Sequence, residues 1–96
     1  MIEGLNKAFE NRLRLGIMGL LMVNSKISFN DLKEELGATD GNISSHANAL
    51  EKLKYLTIEK QFVGKKPQTT YRVSNAGKTA FILHVQALET LLKNMK

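Results

Sequence analysis

Asn42, Ser44, Ser45 and Asn48 fall within one run, TDGNISSHANALEKL (residues 39–53), that mixes two kinds of residue. Ile43, Ala47, Leu50 and Leu53 recur three or four positions apart, the spacing of one helix face. Between them sit small, polar, nearly uncharged side chains, where a merely solvated face would carry more Glu and Lys. Amides and hydroxyls without competing carboxylates suit hydrogen bonding to base edges. Asn pairs bidentately with adenine, and Ser bonds either a base or a phosphate. With Ile43 at zero and about 100° per residue, Ala47 and Leu50 lie within about 40° of it and face a core. Ser45, Asn48 and Lys52 then lie on the opposite side, with Ser44 on the flank. Thr39, Asn42 and the first amides of the helix lie where a phosphate can dock. Asn42, Ser44, Ser45 and Asn48 are therefore the candidate base contacts, and Thr39 and Lys52 candidate phosphate contacts.

Other elements must hold this helix in place. Leu5, Phe9, Leu13, Ile17, Leu20 and Leu21 predict a helix over residues 5–24. Gly16 and Gly19 weaken it by up to about 1 kcal/mol each, offset by close approach of another helix. Ile27 and Phe29 alternate with polar neighbours in a short extended segment, after which Asn30 is placed to cap a short helix that Gly37 ends. GATDG (37–41) is a turn, with Thr39 as cap of the third helix and Asp40 at its positive end, and that helix is expected to reach about Tyr55. LTIEKQFV (56–63), GKKPQ (64–68) and TTYRV (69–73) read as strand, turn and strand, a β-hairpin with a basic tip. Ser74 can cap a last helix, on which Phe81, Val85, Leu88, Leu91, Leu92 and Met95 keep helical spacing.

Charge is concentrated where these elements meet. The 96 residues carry a formal +5. Between Lys52 and Lys78 seven basic residues face a single acid, Glu59, giving +6; the remaining seven basic and eight acidic residues give −1. A localised basic field points to a polyanion, most often nucleic acid. The chain has no cysteine, which excludes disulfides, thiolate zinc sites and a cysteine nucleophile. His46 and His84 are too far apart to form a metal site, and no cofactor is expected. His46 reads as a packed or boundary residue, with a DNA contact as the lesser alternative, and His84 as a core-edge or interface residue. No apolar run is long enough for a membrane span, and a cytoplasmic location fits. No paired carboxylates, phosphate loop or nucleophile motif supports an enzyme.

Two helices joined by a tight Gly-containing turn, followed directly by a basic hairpin, make a winged helix-turn-helix. The sequence resembles the small winged-helix transcriptional regulators related to the MarR and ArsR families. NRLRLGIMGLL (11–21), FNDLKEELGATDGNISSHANALEKL (29–53) and EKQFVGKKPQTTYRVSNAGKTAF (59–81) carry the resemblance, which covers nearly the whole chain. Two positions depart from it: Lys54 stands where relatives usually have Gly, and Ala47 where a larger aliphatic is common.

The expected fold is mainly α with a small β-hairpin wing: one winged-helix domain over 1–96. The helix-turn-helix spans about 30–55, the wing about 56–73 and an extra C-terminal dimerisation helix about 74–96. The function this implies is a sequence-specific double-stranded DNA-binding regulator, a repressor acting as a homodimer on an inverted repeat. The third helix would enter the major groove, with Lys65 and Lys66 at the wing tip on the backbone or in the minor groove. Arg72 either joins them or pairs with Glu59. The dimer interface is expected from Leu5, Phe9, Leu88, Leu91, Leu92 and Met95. A small-molecule effector would occupy the groove between the terminal helices and the winged core. The rival readings are a winged helix that binds protein or RNA and a non-specific architectural DNA binder.

Overall fold

The computed structural model describes residues 3–95. Its elements are a 3₁₀ turn (Lys7–Phe9), α1 (Arg12–Asn24), β1 (Lys26–Ser28), α2 (Phe29–Leu36), α3 (Asp40–Lys52), β2 (Leu56–Val63), β3 (Lys66–Val73) and α4 (Asn75–Asn94). The sheet is antiparallel, in the order β1-β3-β2. This is the winged-helix architecture expected from the sequence: mainly helical, with a three-stranded sheet and a long C-terminal helix.

Short polar side chains set the boundaries. The helix expected over residues 5–24 is broken in two. Asn6 Oδ1 accepts the Ala8 amide at 2.9 Å, and Asn11 Oδ1 accepts those of Leu13 and Arg14 at 2.9 and 3.1 Å. Each asparagine offers the backbone a cap in place of a further turn of helix. Ser28 caps α2 in place of Asn30, its Oγ accepting the Asp31 amide at 3.1 Å, so Phe29 is helical. Gly37 ends α2 in the left-handed conformation, φ 58°. Thr39 and Ser74 cap α3 and α4 as expected. α3 stops at Lys52, short of Tyr55, because Lys54 takes a left-handed φ of 66°. For a residue with a Cβ that conformation costs about 1 kcal/mol. Lys54 therefore holds the left-handed geometry that favours Gly.

The core lies between the three helices and the inner face of the sheet. Ile17, Met18 and Leu21 of α1, Leu32 of α2 and Ile43, Ala47 and Leu50 of α3 are fully buried, and Leu56 and Tyr71 close the sheet side. Leu53, at the end of the apolar spacing on α3, is exposed because the helix has already ended. Gly16 makes the expected close approach: a Cβ there would lie 2.7 Å from Leu36 Cδ2. Gly19 does not, since a Cβ would meet only Phe81 Cζ at 3.9 Å. The tightest contact is at Gly77, where a Cβ would run into the Tyr55 carbonyl.

Candidate nucleic-acid interface

The polar face of α3 is held outward by the burial of its opposite face. Asn42, Ser45, Asn48 and Lys52 are exposed and Ser44 is half-buried. Thr39 Oγ1 accepts the Asn42 amide at 3.2 Å. That bond uses a lone pair and leaves the hydroxyl proton for a phosphate oxygen. The two acids nearest this face are engaged. Asp40 pairs with Lys33 at 2.8 Å, and Glu51 Oε2 accepts the Ile58 amide at 3.3 Å. The exposed face of α3 thus presents amides and hydroxyls to an anionic partner.

Ser44 and Asn48 meet the hairpin across a cleft of about 260 Å³. Its other walls are Phe29 of α2, Ile58 and Lys60 of β2, and Thr69 and Tyr71 of β3. Side chains alternate between the faces of a strand, so Ile58, Lys60, Thr69 and Tyr71 share the face turned toward α3. Lys60 thereby stands opposite the α3 amides, a position that its charge alone did not single out. Burial raises the Tyr71 phenol above its ordinary range, which keeps that hydroxyl uncharged and leaves Lys60 as the charge on this wall.

The wing turn is shorter than the five residues read from sequence. Only Gly64 and Lys65 lie between the strands, and Lys66 and Pro67 already belong to β3. Gly64 has φ 68°, as the first central position of a two-residue hairpin turn requires. Lys65 and Lys66 are both exposed at this end. Arg72 is placed differently. It lies on the outer face of the sheet, exposed, with Nε 3.2 Å from Glu59 Oε1. Of its two sequence readings, the ion pair is the one found.

Both histidines accept hydrogen bonds within the fold. His46 Nδ1 accepts from Arg14 Nε at 3.1 Å, joining α3 to α1. His84 is buried, its Nδ1 accepting the Asn6 amide at 2.9 Å and its ring lying edge-on to Phe9. Among the described residues no group of His, Cys, Asp or Glu could hold a metal ion.

The residues expected at a dimer interface separate into two sets. Phe9 is only 2% exposed, buried in its own subunit against Tyr55, Phe81 and His84. It has no surface left for a partner, which corrects the sequence reading: the 3₁₀ turn tucks it inward instead of continuing a helix. Leu5 and Leu91 are half-buried. Leu88, Leu92 and Met95 are exposed, joined by Ile82 and Leu83, which the helical spacing did not pick out. Beyond Ala87 no described residue of α4 is buried.

A cavity of about 680 Å³ opens elsewhere, between Asn24 and Leu20 of α1, the acidic side of α2 and the outer face of the sheet at Gln68 and Thr70. No residue of α4 lines it, so it is not the groove where the sequence placed an effector.

Residues 13–92 match the family model described as a winged helix DNA-binding domain. The chain belongs to this family. It is 31% identical over 90 residues to the uncharacterized protein MJ0432 of Methanocaldococcus jannaschii, covering 94% of this chain and 98% of that one. Among solved structures, this winged-helix chain superposes on the transcriptional regulator homologue protein from Pyrococcus horikoshii OT3 with a TM-score of 0.86. Identity is 25%, over 93% of this chain and 88% of that one. Bordetella bronchiseptica BpsR, whose DNA binding is regulated by 6-hydroxynicotinic acid, shares the fold with a TM-score of 0.75 at 10% identity. That match covers 96% of this chain and 69% of BpsR. The resemblance read from the sequence holds at this level: the family is one of winged helix DNA-binding domains, and the Pyrococcus structure is that of a transcriptional regulator homologue. No helix among the described residues is long and apolar enough to cross a membrane.

Proposed function

We propose that the protein is a sequence-specific double-stranded DNA-binding regulator that acts as a homodimer on an inverted repeat and represses by occupying it. The observation that carries this reading is the cleft in which Ser44 and Asn48 face Lys60, on a rim whose nearby acids are already paired. Asn42, Ser44, Ser45 and Asn48 would enter the major groove. Thr39, Lys52, Lys60, Lys65 and Lys66 would hold the phosphates that fix the register. Arg72, paired with Glu59, takes no part. The dimer would form through α4, where Leu88, Leu92 and Met95 are exposed along the half of the helix beyond Ala87, in which no described residue is fully buried. A two-fold axis there presents two α3 helices to major grooves about 34 Å apart.

The test is retention of duplexes from a random pool at two salt concentrations. An enriched inverted repeat with half-sites about one helical turn apart supports the regulator. Retention without enrichment, lost at the higher salt, contradicts sequence specificity and leaves an architectural binder. No retention at low salt contradicts DNA binding altogether and redirects the search to protein or RNA.

A further inference from the structure

The wing carries an apolar pair that phosphate binding does not use. Phe62 is 74% exposed, and Val63 beside it is 58% exposed. Phe62 lies opposite Pro67 across the hairpin, and Val63 opposite Lys66. Counted out from the two-residue turn, Val63–Lys66 is the hydrogen-bonded pair and Phe62–Pro67 the closer, non-hydrogen-bonded one. Proline fits there because it has no amide to offer on that side, and β1 reaches only Thr70. Phe62 and Pro67 therefore sit side by side on one face of the hairpin as an exposed apolar pad.

Alternation fixes the direction of this pad. Phe62 is on the same face of β2 as Lys60 and Ile58, and Pro67 on the same face of β3 as Thr69 and Tyr71. Those four residues line the cleft shared with Ser44 and Asn48. The pad thus continues the surface of α3 outward, ending beside Lys65 and Lys66. Phe62 lies four residues beyond Ile58, about 14 Å at 3.4 Å per residue. Half a turn of duplex, the step from a major-groove centre to the adjacent minor groove, is about 17 Å. With α3 in the major groove, Phe62 arrives at the next minor groove with lysines placed for the phosphates on its walls.

We propose that Phe62, backed by Pro67, is a wedge that enters the minor groove flanking each half-site, partly unstacks a base step and bends the duplex. The proposal rests on the DNA-binding reading above. An apolar side chain between base steps kinks DNA toward the major groove, and flexible pyrimidine–purine steps yield most easily. The wedge would therefore select such a step at a position where no base edge is read. Lys65 and Lys66 supply attraction without sequence preference, so this selectivity belongs to Phe62.

The experiment uses the full chain and a duplex retained from the random pool, labelled at both ends for energy transfer. A second version of the duplex carries 2-aminopurine at successive flanking steps. Anisotropy reports binding independently of shape. The expected result is a bend of about 20–90° on binding, with 2-aminopurine brightening at one flanking step. Phe62→Ala should bind with the bend and the brightening lost, and Phe62→Leu, which keeps an apolar wedge, should restore both in part. A duplex that stays straight and dark when bound by the natural protein overturns the wedge alone, as does an equal bend with Phe62→Ala. Self-association through the wing, seen as an oligomer in the natural protein that Phe62→Ala abolishes while the bend remains, also overturns it. Absence of binding in the anisotropy is the separate failure of the DNA-binding reading.

Discussion

The backbone amide of Asn6 donates to Nδ1 of His84 at 2.9 Å, across 78 positions of sequence. This bond fixes the N-terminal segment against α4, with Phe9 beneath it. It also fixes the tautomer, since an accepting Nδ1 places the ring proton on Nε2. His84→Ala removes the acceptor and the ring face that covers Phe9. We expect a loss of about 2 kcal/mol, the cost of an unsatisfied amide plus lost packing, read from urea unfolding. An unchanged midpoint would mean that the N-terminal segment contributes nothing to stability.

Two glycines should respond in opposite directions to the same substitution. At Gly77 a Cβ collides with the Tyr55 carbonyl, which is backbone and cannot rotate away. Gly77→Ala should cost at least about 2 kcal/mol. At Gly19 the Cβ meets only Phe81 Cζ at 3.9 Å, in the middle of α1. Gly19→Ala should stabilise by up to about 1 kcal/mol, through helix propensity alone. Thermal unfolding of the two variants side by side checks the pair.

These glycines also mark how far the sequence could be read. The apolar spacing on α3, the Thr39 and Ser74 caps, the Gly37 stop and the two strands of the wing all follow from local patterns, and the structure has them. Local pattern did not reveal that Asn6 and Asn11 would each cap, because Phe9 and Leu13 keep helical spacing across the break between them. It assigned Phe9 to a partner because an apolar residue near a terminus looks unpartnered until α4 is folded over it. Gly77 lies in the stretch 59–81 that carries the family resemblance, and only its close approach to the Tyr55 carbonyl gives it a physical reason. The placement of Lys60 and Phe62 was hidden for a different reason: it depends on which face of the hairpin meets α3, and no spacing within one strand discloses that.

The wing should separate basic residues by function. Lys65→Ala with Lys66→Ala would remove two of the proposed phosphate contacts. The slope of log K against log salt should become shallower by about 1.8 units, with all duplexes weakened alike. Arg72→Ala should leave the slope unchanged, because Arg72 faces away from the cleft and is paired with Glu59. Both partners of that pair are about half exposed, so its loss should cost no more than about 1 kcal/mol. Anisotropy titrations at several salt concentrations test both statements.

The exposed stripe of α4 gives the proposed dimer its own test. Leu88→Glu with Leu92→Glu places two charges on exposed positions of α4, beyond the last buried residue of that helix. The fold should persist by circular dichroism, while sedimentation should shift from dimer to monomer. Binding to an inverted repeat should fall toward that of a single half-site. A double variant that remains dimeric would place the interface elsewhere.

The most direct test of base reading by α3 is selection from a random duplex pool with the natural protein and Asn48→Ala in parallel. Asn48 stands exposed on the cleft rim opposite Lys60. An inverted repeat is expected for the natural protein. For the variant the same repeat is expected with the preference relaxed at one position per half-site, a discrimination of about 1–3 kcal/mol. Identical preferences from the two proteins, or a uniform loss of affinity with every preference intact, would contradict base reading by Asn48.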